Sequence, residues 1–94
     1  MIKKIKQLSR IEKKTLLEKM VKLQEEVGEL AQEVLLHEKS SGVRSKRAKK
    51  GGILDESVDM ILVALSIFFS QGGTPESYRT LLKKKSAKWE KFQI

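Results

Sequence analysis

The chain has 94 residues, no cysteine, one histidine and a formal net charge of +8. This length supports one small domain, and domains of that size bury a modest share of their surface, so they often need a partner subunit or a metal ion. Without thiols there are no disulfides, thiolate metal sites or cysteine nucleophiles, a composition compatible with a reducing compartment; His37 alone cannot build a histidine-rich transition-metal site.

The start, Met1 to Lys6, is basic but no continuous apolar segment follows it, so residues 1–9 read as an N-terminal extension and not as a secretory leader. Ser9 and Glu12 have capping-box spacing and predict a helix beginning near Arg10. Leu16, Met20, Leu23, Val27, Leu30 and Val34 recur at alternating steps of four and three, a helical stripe that runs to about Glu38. A second row, Leu17, Val21, Gly28, Ala31 and Leu35, widens the apolar arc beyond half the circumference. Glu18, Lys22, Glu25, Glu26, Glu29 and Glu33 take the remaining arc, and Gly28 reads as a point of close helix approach.

Residues 39–52 read as a basic loop, with six lysines and arginines, no acid, Ser40-Ser41-Gly42 and Gly51-Gly52. Ile53 to Gln71 reads as the second helix. Its apolar residues between Ile61 and Phe69 go round the whole axis, which predicts burial on every side. The run from Met60 to Phe69 is far short of the ~20 residues a membrane span needs. Gly72-Gly73 should end this helix, and Thr74-Pro75 should start a third that reaches about Phe92. Tyr78, Leu81, Leu82, Trp89 and Phe92 are its apolar residues; Arg79, Lys83, Lys84, Lys85 and Lys88 are basic. The expected fold is all-α: a single domain of about three main helices, completed by dimerisation into a four-helix-type core. Three helices cannot easily cover one that is apolar all round.

Charge distribution says more than net charge. Seven of the twelve acids fall in two clusters, Glu25, Glu26, Glu29 and Glu33, then Asp55, Glu56 and Asp59, flanked by basic segments. That pattern suits a cation and an anionic ligand held together. It suits a plain nucleic-acid surface less well, because acids beside phosphates repel. Glu26 with Glu29, and Glu56 with Asp59, are pairs three residues apart on predicted helices, so each pair can aim its oxygens at one point. Glu56 and Asp59 also open an almost wholly apolar run, where an uncompensated carboxylate is costly. Oxygen donors alone point to Mg²⁺, or Mn²⁺ in its place, over zinc or copper.

Glu25-Glu26-Val27-Gly28-Glu29, then 26 residues, then Glu56-Ser57-Val58-Asp59 resembles the signature of the all-α nucleoside triphosphate pyrophosphohydrolases called MazG-like. Lys22-Leu23 before the first motif, Leu30-Ala31-Gln32 after it, Ile61 to Ser66 and Lys88-Trp89-Glu90 extend the likeness over roughly residues 16–91, in the manner of short single-domain bacterial or phage members. The resemblance implies a hydrolase that cuts a nucleoside triphosphate between its α and β phosphates, giving a monophosphate and pyrophosphate. It also implies Mg²⁺ and a homodimer or dimer of dimers. By position it makes Glu26, Glu29, Glu56 and Asp59 the metal ligands, and Glu25 the residue that orients or deprotonates water. Basic groups are needed to stabilise the departing pyrophosphate. Lys46, Arg47, Lys49 and Lys50 in the loop, and Arg79, Lys83 and Lys84 in the third helix, are the available ones. His37 reads as a helix-end residue and Trp89 as a packing residue. The expected protein is a soluble cytoplasmic enzyme of nucleotide metabolism, with no membrane or nucleic-acid partner. Its rivals are a basic helical nucleic-acid-binding module and a catalytically idle scaffold of the same fold.

Overall fold

A computed structural model describes residues 1–38 and 52–93, which form four helices and no strand. These are α1 (Ile2–Ile11), α2 (Leu16–His37), α3 (Gly52–Ser70) and α4 (Pro75–Lys91). The all-α expectation holds. The single helix expected from Arg10 to Glu38 does not: the residues read as an extension are helical, and a break follows them. Two Ser/Thr-x-x-Glu boxes lie six residues apart, and the chain uses the second. Thr15 Oγ1 accepts from the Glu18 N–H at 3.1 Å, and Glu18 Oε1 accepts from the Thr15 N–H at 2.8 Å. Glu12, with φ −66° and ψ 132°, turns the backbone out of α1 ahead of that box. Ser9 lies inside α1, buried, its hydroxyl donating to the Ile5 carbonyl at 2.6 Å. The expected loop from Lys39 to Gly51 falls outside the described residues, and Gly52 already belongs to α3.

α3 is the centre of the molecule, with α2 along one side and α1 on another. Its end is set by local chemistry. Gly72 adopts φ +95°, and the Gly73 N–H closes back onto the Phe68 carbonyl at 3.0 Å, a glycine-terminated helix end. A reciprocal cap then opens α4: Thr74 Oγ1 accepts from the Ser77 N–H at 3.0 Å, Ser77 Oγ accepts from the Thr74 N–H at 2.9 Å, and Pro75 follows the cap.

Among the described residues, Leu65 and Phe69 are the buried large apolar side chains. Phe69 meets Phe68 edge-on at 5.2 Å between ring centres, and Phe68 meets Tyr78 at 5.9 Å. Enclosing a ring such as Phe69 contributes about 1.5–3 kcal/mol. Much of the remaining apolar surface is in water. Leu54, Val58, Ile61 and Leu62 of α3 are exposed, as are Leu16, Met20, Val27 and Val34 of α2. The α2 residues buried within the chain are instead Lys19, Glu26 and Glu33, seven apart along one line. α2 therefore turns three charged side chains inward, beside the half-buried Leu23 and Leu30, and leaves many of its other apolar residues outward. No helix of the described residues is long and apolar enough to cross a membrane.

Candidate metal centre

Three carboxylates meet where α2 and α3 run side by side. Glu26, Glu29 and Glu56 each offer an oxygen, and these oxygens all lie within 4.8 Å of one another. Glu26 and Glu29 come from one face of α2, three residues apart, and Glu56 enters from the second turn of α3. Glu26 is 6 % exposed. Its Oε1 accepts an ion pair from Lys22 Nζ at 3.1 Å, one turn earlier on α2. Its Oε2, like Oε2 of Glu56, is buried without a hydrogen-bond partner. Buried polar atoms are rarely left so, because each lost its water on folding.

The electrostatics divide the two acids. The Lys22 ammonium holds the Glu26 carboxyl below its ordinary range. Among the described residues no cation pairs with Glu56; burial, reinforced by Glu26 and Glu29, pushes its carboxyl up to about 7. Crowded carboxylates cannot all ionise unless positive charge joins them, so near neutral pH the cluster holds a proton that a cation can replace. A hard divalent cation fits this donor set: oxygen ligands, two with bare buried atoms, and no sulfur or imidazole.

The other acids of the motif lie apart. Asp59, one turn beyond Glu56, is exposed and outside the three-carboxylate group. Glu25 is exposed and pairs with Lys22 at 3.5 Å. Glu33, grouped by the sequence with the polar face, is buried against the first turn of α3. A Cβ on Gly52 would sit 2.7 Å from the Glu33 Cδ, so the glycine lets this carboxylate reach the helix start. That end of a helix favours negative charge.

Of the expected phosphate-binding residues, Lys46, Arg47, Lys49 and Lys50 lie outside the described residues. Arg79, Lys83 and Lys84 are exposed on α4, which does not touch α2, so a single chain does not bring them to its carboxylates. His37 is the last residue of α2, its Nε2 3.8 Å from Glu38 Oε2. Sequence reasoning missed Lys19. It is 2 % exposed, and its ammonium donates to the carbonyls of Ser9 at 3.2 Å and Ser66 at 3.4 Å, with Glu12 Oε1 at 3.7 Å. This one side chain ties α1, α2 and α3 together two turns from the carboxylates. Lys14, Lys19 and Lys22 also line a cavity of about 240 Å³ with Glu12, Leu62 and Ser66.

Comparison of the chain with protein-family models, with characterised proteins and with solved structures finds no match in any of the three.

Proposed function

We propose that this chain is a Mg²⁺-dependent nucleoside triphosphate pyrophosphohydrolase of the MazG-like kind, releasing a monophosphate and pyrophosphate. The observation that carries the reading is the meeting of Glu26, Glu29 and Glu56, with two buried oxygens whose neighbours among the described residues are other carboxylates. Three of the four acids that the motif names as ligands thus come from different helices to one place. Glu26, Glu29 and Glu56 would hold the ion, with Asp59 on the next turn of α3 as a further ligand; Mn²⁺ could take the same place. Bound there, the ion neutralises phosphate charge and makes a nearby water more acidic.

The chain's own groups do the rest. Lys22 keeps Glu26 ionised and fixes one of its oxygens, leaving the other bare. Glu25, in reach of the same lysine, would orient or deprotonate the attacking water. Basic side chains of the Lys46–Lys50 segment or of α4 would hold the departing pyrophosphate. Assembly as a homodimer or dimer of dimers is supported by the outward apolar rows of α2 and α3. A cytoplasmic setting accords with the lack of cysteine.

The test is pyrophosphate release from a panel of ribo- and deoxynucleoside triphosphates with Mg²⁺, for wild type and the Glu56→Gln and Asp59→Asn variants. Release in wild type, lost with Glu56→Gln, is expected. Equal release from both proteins removes the site. A salt-sensitive DNA affinity that needs no metal, and that improves when Glu26 is neutralised, would instead favour the nucleic-acid-binding module.

A further inference from the structure

α4 is held by its first turn and by little beyond it. Pro75 is buried and Tyr78 meets Phe68, whereas every residue from Arg79 to Gln93 is exposed. Within the chain its backbone comes near that of α1 at a few points and stays clear of the α2 backbone. A helix of 17 residues is marginal in water without a packed face. Yet this one leaves Trp89 69 % and Phe92 70 % exposed. At about 100° per residue, Tyr78, Leu81, Leu82, Trp89 and Phe92 fall on a single arc, with lysines along and beside it. Six basic residues against two acids make the helix strongly cationic.

α2 carries the complementary surface. Leu17, Val21, Gly28 and Leu35 form a row that faces away from α3, and Leu17 is 73 % exposed. Gly28 breaks the middle of a long helix with a poor helix former. Among the described residues nothing explains it, since a Cβ there would meet nothing within 4 Å. Glycine on an outward apolar row is what a closely crossing helix requires. Beside the row, an open groove of about 500 Å³ runs past Leu17 and Val21, with Glu18 and Glu25 on its edge and Lys14 and Lys22 at its ends. Glu18, Glu25 and Glu29, all exposed, make an acidic line along that edge.

We propose that α4 of one copy lies along the outward row of α2 in a second copy, its aromatic arc over Leu17, Val21 and Gly28, with Lys85 and Lys88, on and beside that arc, against Glu18 and Glu25. The chain's own α4 does not touch α2, so the occupant is another molecule. The match of a cationic aromatic helix with an acidic-edged apolar row selects a second copy of this chain over a lipid surface. A reciprocal exchange buries both orphaned faces at once. The docking stands without the hydrolase reading.

The lack of native cysteine makes the test direct. Leu17→Cys and Leu82→Cys chains are purified separately, mixed and treated with a short bismaleimide. The emission of Trp89, the sole tryptophan, is followed on dilution. The mixed pair should cross-link in high yield, and the wild-type emission should be blue-shifted and move red as the assembly dissociates. Leu82→Glu should shift it red at all concentrations with helical content unchanged. Gly28→Gln should increase helicity yet raise the dissociation midpoint about tenfold or more. The proposal is overturned if Leu82→Cys chains cross-link only with themselves. It is equally overturned if Trp89 emission is red in concentrated wild type, or shifts blue only with anionic vesicles.

Discussion

The inward and outward sides of α2 depart from the usual arrangement of an amphipathic helix, because three charged side chains lie inward beside Leu23 and Leu30. Lys19, Glu26 and Glu33 are buried against α3, while Leu16, Leu17, Val21 and Val27 face water. Hydrocarbon left outside is stabilising only once another surface covers it. Charge brought inside must be compensated where it lies. Each of the three inward groups is treated differently. Lys19 is matched by two carbonyls and a carboxylate. Glu33 sits at the start of α3, over a glycine. Glu26, with Glu56 opposite, keeps bare buried oxygens. The first two are finished structural devices. The third has only other carboxylates around it, and that contrast separates the candidate site from its scaffold.

The comparison breaks most sharply at Glu56. Glu56→Gln should lower Mg²⁺-dependent pyrophosphate release about 100-fold or more, read by initial rates. The same change should alter the metal-free protein in the opposite direction. Folding raises the Glu56 carboxyl from its ordinary 4.5 to about 7, so the folded form holds the proton more tightly. The stability this group contributes is full below 4.5 and is lost as pH rises through about 7. Thermal melts in chelator should show that decline in wild type and a flatter profile in Glu56→Gln. Apparent Mn²⁺ affinity should climb over the same interval, because the cation displaces the proton.

The scaffold devices give smaller effects and leave the carboxylates in place. Lys19→Met removes the bonds to the Ser9 and Ser66 carbonyls and the cation beside the partly exposed Glu12, and should cost about 2 kcal/mol in urea titrations. Gly52→Ala drives a methyl group into the Glu33 carboxylate and should cost about 1–2 kcal/mol. Thr15→Ala removes one half of the capping box at the head of α2 and should cost about 1 kcal/mol.

Features governed by neighbours in sequence were legible in advance. Gly72-Gly73 and Thr74-Pro75 place the α3–α4 junction within a residue, because cap and turn chemistry act over three or four positions. The α1–α2 break was hidden by two equivalent boxes, Ser9 with Glu12 and Thr15 with Glu18; which one opens a helix depends on α1 packing against α3. Motif spacing led to Glu26, Glu29 and Glu56, but helical period alone could not tell that Asp59 would remain exposed. Lys19 carried no signal at all. It is one of many lysines, and its partner Ser66 is 47 residues away in sequence. Which side of α2 would turn inward was equally hidden, since both an apolar stripe and a charged one were present.

Calorimetric titration of the metal-free protein with Mn²⁺, above the pH at which Glu56 loses its proton, probes the centre without relying on turnover. Saturable binding in wild type, weakened at least about tenfold in Glu56→Gln with helical content unchanged, is the predicted result. Absence of saturable binding, or equal affinity in the two proteins, would contradict a cation site between α2 and α3.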